Sequence, residues 1–329
     1  RMSSTTTTGA ASYSDDSSLE SEPDVDGLSM VLDDFSFVSD GMESAGQNEK
    51  FKIIHEGQFT KIYCADDPKN EFGGCNRSVA IKALSDEFPD DEQVFRLRNE
   101  FTISKHLSQC NAVRKVLAQK KMYGIRTIIF EWAEGISLGE WISLHFIKRV
   151  TSSSLTASSS DCTMNCGSDL NLILQLAMNI SDALADIHDS GVIHSNLTAD
   201  NIIVDDSDDN MEVKIIGLSS AYLTTNDEEK NYSEKRKDIL CLGLIFFEMF
   251  TGRCPFQRKQ GEEATLGGHG GNKRIFLLSY NQLVYTLTSS VPLIFAELVL
   301  NLMEVDGSTC SSGSARDVSK ELQSIIVVL

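Results

Sequence analysis

Two spacings of apolar residues alternate along this chain. From Phe51 to Ala65, at Val79–Ile81 and at Thr127–Phe130, apolar runs of strand length are set off by polar turns, and they predict β-strands. Elsewhere the apolar residues return every three or four positions, and there they predict helices: over Val94–Leu107, around Trp141, and over Asp169–Ser190. In the last of these, Leu172, Leu176, Ile180, Leu184 and Ile187 share a face, and Gly191 is placed to end the helix. The longest apolar run, Ile239–Phe247, is far too short to span a bilayer and reads as a buried helix. Val291–Val305 and Ala315–Val328 predict closing helices.

Polar stretches punctuate this pattern. Residues 1–49 hold eleven acidic residues against Arg1 alone, with many Ser and Thr; such a segment cannot bury enough apolar surface to offset its ordering entropy and is expected to be a disordered tail. Its apolar patch Leu28–Val38 reads either as a motif that folds on a partner or as incidental. Thr151–Gly167 (Ser/Thr-rich) and Gln257–Arg274 (Gly-rich) are expected to be flexible insertions. Asp205–Asn210 lacks the glycine and terminal glutamate of a calcium loop and reads as a solvated hairpin tip. A net charge of −19 argues against nucleic acid and anionic membrane surfaces as partners. Eight scattered cysteines without metal-site or disulfide spacing, no secretory signal and no spanning segment lead to an intracellular, cytoplasmic expectation with no membrane insertion. The chain opens on Arg1 rather than Met, and the expectation is either a fragment, as of a longer multidomain signalling protein, or a partial gene model.

Five blocks in order carry a family resemblance. Val79-Ala80-Ile81-Lys82 matches V-A-I-K, and Glu100 follows eighteen residues later in a predicted helix, the separation expected for a Lys–Glu ion pair. Phe130 followed by Glu131-Trp132-Ala133 resembles a gatekeeper and hinge. His194-Ser195-Asn196-Leu197-Thr198-Ala199-Asp200-Asn201 resembles H-R-D-L-x-x-x-N, and Asp238–Phe256 resembles the buried F helix and its exit. Together they resemble the eukaryotic-type protein kinases over roughly residues 51–326. That resemblance implies an α+β, bilobal fold: a small antiparallel β-sheet lobe with one helix (about 50–131) and a mainly helical lobe (about 132–329).

It also implies a nucleotide site. Gly57, Ile62, Ala80, Lys82, Glu131, Ala133, Asn201 and Ile203 fall at positions that would hold ATP. The glycine-rich loop keeps only Gly57, with His55 and Thr60 at the other glycine positions. The catalytic aspartate is Asn196, whose amide is no base at neutral pH. The D-F-G aspartate is Gly217, so magnesium loses its main ligand and keeps only the neutral Asn201. No A-P-E follows, and Ser312 stands where an arginine is usual. Asp200 is expected to point away from the cleft. The expectation is a pseudokinase: a signalling or scaffolding module that binds protein partners. Lys82 with Glu100 is read either as fixing the helix or as binding nucleotide without metal. The alternative is an active, divergent Ser/Thr kinase that passes the ATP γ-phosphate to protein hydroxyls.

Overall fold

In the computed structural model the described residues are 51–328 without 68, 73–77, 87, 123, 156–165, 208–210, 259–274 and 304–312. The acidic segment 1–49 with its Leu28–Val38 patch, most of the two polar insertions, and Ser312 lie outside them.

The strand-length runs pair into one antiparallel five-stranded sheet. It comprises β1 (Phe51–Glu56), β2 (Thr60–Asp66), β3 (Ser78–Leu84), β4 (Val116–Met122) and β5 (Ile125–Glu131), in the order β1-β2-β3-β5-β4. Its centre is β3, whose Val79, Ala80 and Ile81 are all buried; a strand covered on both faces reads as a continuous apolar run, as this one does. Across the sheet lies α1 (Asp91–His106), opened by a reciprocal capping box between Asp90 and Gln93. Leu97 of α1 packs with Ala80, Leu84, Ile128 and Phe130 to form the small lobe's core. Each Leu, Ile or Phe among them contributes about 1.5–3 kcal/mol when fully buried.

The large lobe is helical: α2 (Leu138–Leu155), α3 (Cys166–Asp189), α4 (Glu228–Thr251), α5 (Tyr280–Thr288), α6 (Leu293–Leu302) and α7 (Ala315–Val328). Short strands lie between them: β6 (Ile136–Ser137), β8 (Ile202–Asp205) and β9 (Glu212–Ile215) form one sheet, while β7 (Val192–Ile193) pairs with β10 (Tyr222–Leu223). α4 runs through the core, where Phe246 meets Phe250 edge to face, Phe250 meets Phe295 of α6 at a tilt, and Ile239 and Leu242 are fully buried. α4 and α6 come close at Gly243, where a Cβ would stand 2.8 Å from Leu302. α7 is clamped to α3 by Arg316, which donates to Asp182, Asp186 and Asp189, an acidic stripe at helical spacing. Among the described residues no helix is long and apolar enough to cross a membrane.

The fold is the expected α+β, bilobal one, with three corrections. Thr151–Leu155 belong to α2 and Cys166–Gly167 to α3, because a helix already packed extends through Ser and Thr at a cost of only tenths of a kcal/mol per residue. Gln257 and Arg258 are in a strand, β11 (Phe256–Arg258), because β12 (Ile275–Leu277) offers them an apolar partner on the far side of the insertion. α4 starts at Glu228, ten residues before Asp238, because Asp227 caps it through Lys230 N–H and two acidic residues sit at its positive end.

Candidate functional site

Lys82 sits mid-sheet, paired across to Ile62 on β2 and Ile128 on β5. Its Nζ donates to Glu100 Oε2 of α1 at 2.6 Å, and the two side chains are only 13% and 3% exposed. Asn99, one residue earlier, donates from Nδ2 to the carbonyls of Ser219 (3.0 Å) and Ala221 (2.8 Å), tying α1 to the segment that follows Gly217. Phe130 is buried in the small-lobe core, and the Arg114 guanidinium lies 4.4 Å over its ring. Burial pushes the Arg114 pKa down to about 10, opposed by the nearby Glu100 carboxylate.

The hairpin between β1 and β2 is closed on itself. Gly57 N–H donates to Thr60 O at 2.9 Å, and Ser85 N–H to Phe59 O at 2.9 Å. The amide that a phosphate would need from Gly57 is therefore already used within the turn.

The Val192–Ile203 stretch is anchored from behind by Asp238 of α4. One carboxylate oxygen accepts from His194 N–H (2.8 Å) and from His188 Nε2 (2.9 Å), and the other from Ser195 N–H (2.8 Å). Ser195 is held at φ 64°, a left-handed conformation that costs a non-glycine residue about 1–2 kcal/mol and persists only where its surroundings impose it. His194 Nδ1 accepts from Asn196 N–H at 3.3 Å, which leaves the proton on Nε2 to donate to Ile216 O at 3.0 Å. Burial holds the His194 pKa below its ordinary value, partly offset by the bond to Ile216 and by Asp238.

The front of the same loop is built from amides. Asn201 Nδ2 donates to Asn196 O at 2.9 Å, and Asn201 O accepts from Ile216 N–H at 2.9 Å. Gly217 follows at φ 78°, and a Cβ built there would lie 2.7 Å from Asn201 Cγ. Asp200 is turned to the start of α2, with Oδ1 2.7 Å from where a Gly139 Cβ would be. The residues present do not fit magnesium: the position that should carry a carboxylate has no side chain, and the one amide oxygen is packed against it. Among the described residues no three His, Cys, Asp or Glu side chains are grouped to hold a metal ion.

The residues singled out from sequence fall in different places. A cavity of about 390 Å³ is lined by Lys82, Glu100, Leu97, the hairpin tip Gln58–Thr60 and Ser219. Glu131 and Ala133 line another, of about 310 Å³, with Arg114, Trp132 and Lys214. Gly57, Ile62, Ala80, Asn196, Asn201 and Ile203 line neither; Ala80 is fully buried in the small-lobe core, with Ile62 packed against it. Asn99, Arg114 and His188 went unnoticed in the sequence. Asn99 is adjacent to Glu100 and His188 lies in the last turn before Gly191, so proximity to a named residue was the available signal.

After Gly217 the chain makes a single turn over Leu218–Ser220, pairs through β10 with β7, and enters α4 directly after Asp227. Ten residues separate Gly217 from Glu228.

The family model described as protein tyrosine and serine/threonine kinase matches residues 49–238. The chain is similar to the serine/threonine-protein kinase PrkC of Bacillus subtilis, with 24% identity over 68% of this chain and 33% of the relative. It is also similar to a probable serine/threonine-protein kinase of Clostridium perfringens, with 25% identity over 63% of this chain and 29% of the relative. It thus spans about a third of the length of these relatives. Among solved structures, the Mycobacterium tuberculosis PknI kinase domain matches with a TM-score of 0.51 and 14% identity over 86% of this chain and 99% of that one, a likeness of fold.

Proposed function

The chain belongs to the protein tyrosine and serine/threonine kinase family, and from that premise we propose that it has kept the kinase fold and lost phosphoryl transfer, serving as a signalling or scaffolding module for protein partners. The observation that carries this is the pairing of Asn196 with Gly217: the group that would take the hydroxyl proton and the group that would hold magnesium are both gone. The closed hairpin at Gly57 and the direct run of Asp227 into α4 support the same reading, since they remove a phosphate donor and the substrate platform. In this reading Lys82 and Glu100 hold α1 in place and let the cavity they line bind ATP weakly.

The test is incubation of the intact chain with γ-labelled ATP, magnesium and a panel of protein acceptors. No incorporation above a Lys82→Ala control is expected, together with a small melting shift on adding ATP. Incorporation abolished by Lys82→Ala would establish the second reading, an active divergent kinase, which the intact Lys82–Glu100 pair favours.

A further inference from the structure

We infer that the cavity beside Glu131–Glu134 binds a small zwitterion of the α-amino acid class, its carboxylate on Arg114 and its ammonium on Glu131. The function proposed above uses the Lys82 cavity and leaves this one unassigned. The cavity, of about 310 Å³, lies where Asn111–Lys115, the end of β5 and the β8–β9 hairpin meet, so both lobes contribute to its wall. Its volume suits a small molecule.

Arg114 is what calls for an anion. Its guanidinium stays charged at neutral pH and makes no side-chain hydrogen bond among the described residues, and its Nε is buried without a partner. The Phe130 ring, 4.4 Å away, returns only part of the lost hydration. Glu100, the carboxylate that acts on it, is itself bonded to Lys82 at 2.6 Å. A ligand carboxylate would meet a guanidinium fork whose donors are unused, the arrangement that gives strong paired hydrogen bonds.

A plain anion does not suit the rest of the wall, which carries four carboxylates. Three of them are engaged: Glu212 pairs with Lys214 at 2.6 Å, Glu134 accepts from the Trp132 ring N–H at 3.2 Å, and Asp205 accepts from Ser207 N–H at 3.0 Å. The Glu131 side chain has no partner among the described residues, while its backbone N–H bonds to Lys115 O at 2.9 Å, next to Arg114 in the chain. Lys115 itself is exposed and keeps its water. With Arg114, Lys115 and Lys214 as its cations, the wall is one negative charge in excess and opposes phosphate. A zwitterion satisfies one unpaired charge of each sign. Val113 and Ala133 add apolar wall, which fits a short aliphatic side chain.

Thermal denaturation of the intact chain should be followed with L-leucine, N-acetyl-leucine, leucinamide or inorganic phosphate. Leucine at roughly ten times its Kd should raise the midpoint by about 3 °C, and the other three, at the same concentration, by about 1 °C or less. An equal response to N-acetyl-leucine or phosphate would make this a simple anion site and overturn the assignment. An equal response to leucinamide would remove Arg114 from it, and no response to any of the four overturns the site. Arg114→Gln and Glu131→Gln should each abolish the leucine shift, measured from the variant's own midpoint; a variant that keeps it places the ligand elsewhere. If Arg114→Gln does not fold, the four-ligand comparison and Glu131→Gln still decide. Excess ATP should leave the leucine shift unchanged, whether or not ATP itself binds, because Lys82 lines a different cavity; loss of the shift would overturn the separate site.

Discussion

The two sides of the loop from Val192 to Ile203 differ in kind. Behind it, a single buried carboxylate, Asp238, gathers two backbone amides and the His188 ring, and pins Ser195 in a left-handed turn. In front of it, Asn196, Asn201 and Gly217 form a neutral patch in which one amide bonds the loop to itself and fills the space beside a glycine. The rear positions the backbone and carries charge; the front, where chemistry would take place, carries none. Architecture and reactivity are thus separable within twelve residues, because they depend on different atoms of the same loop: main-chain N–H groups on one side and side-chain carboxylates on the other.

The comparison breaks first at Asp238. Asp238→Ala deletes three hydrogen bonds to a buried charge and should cost on the order of 5 kcal/mol, whereas Asn196→Ala on the front should change stability by about 0.5 kcal/mol or less. Urea denaturation of both variants measures this, with soluble yield as the readout if Asp238→Ala does not fold; similar losses would erase the distinction. Glu100→Ala comes next, at about 3 kcal/mol, because it strands Lys82 in a site with little access to water.

Acid sharpens the rear half. The His194 pKa lies below 6.5 in the folded protein, so the unfolded chain binds the proton first. The stabilisation is complete above that value and falls as the pH drops below it, by at most about 1.4 kcal/mol per pH unit. Denaturation midpoints between pH 7.5 and 5.5 should decline accordingly, and a His194→Asn variant should flatten the decline. The smallest effect belongs to a distant control: Arg316→Ala should cost roughly 1 kcal/mol, shrinking as salt is added, since its bonds to Asp182, Asp186 and Asp189 lie partly in solvent.

What could be read from the residue order was whatever rests on type and spacing. The apolar run Val79–Ile81 marked β3, the interval to Glu100 marked its partner on α1, and the apolar run after Asp238 marked a buried helix, though not where it starts. Some signals were present and went unused. Ser279 with Gln282 is a capping box that marks α5, and Asp227 before two glutamates is a helix start ahead of the apolar run. The Asn201–Gly217 contact had no signal at all, because it depends on a backbone angle and a side-chain direction that no spacing encodes.

Asn99 has one more consequence. A helix on the small lobe would ordinarily open and close on its own, exchanging its amide hydrogens at a rate set by local fraying. By bonding to two carbonyls that belong to the large lobe, Asn99 enrols α1 in that lobe's cooperative unit, so its protected amides should exchange in step with those of α3 and α4. The boundary between the lobes in space and the boundary between units that open together then fall in different places along the chain.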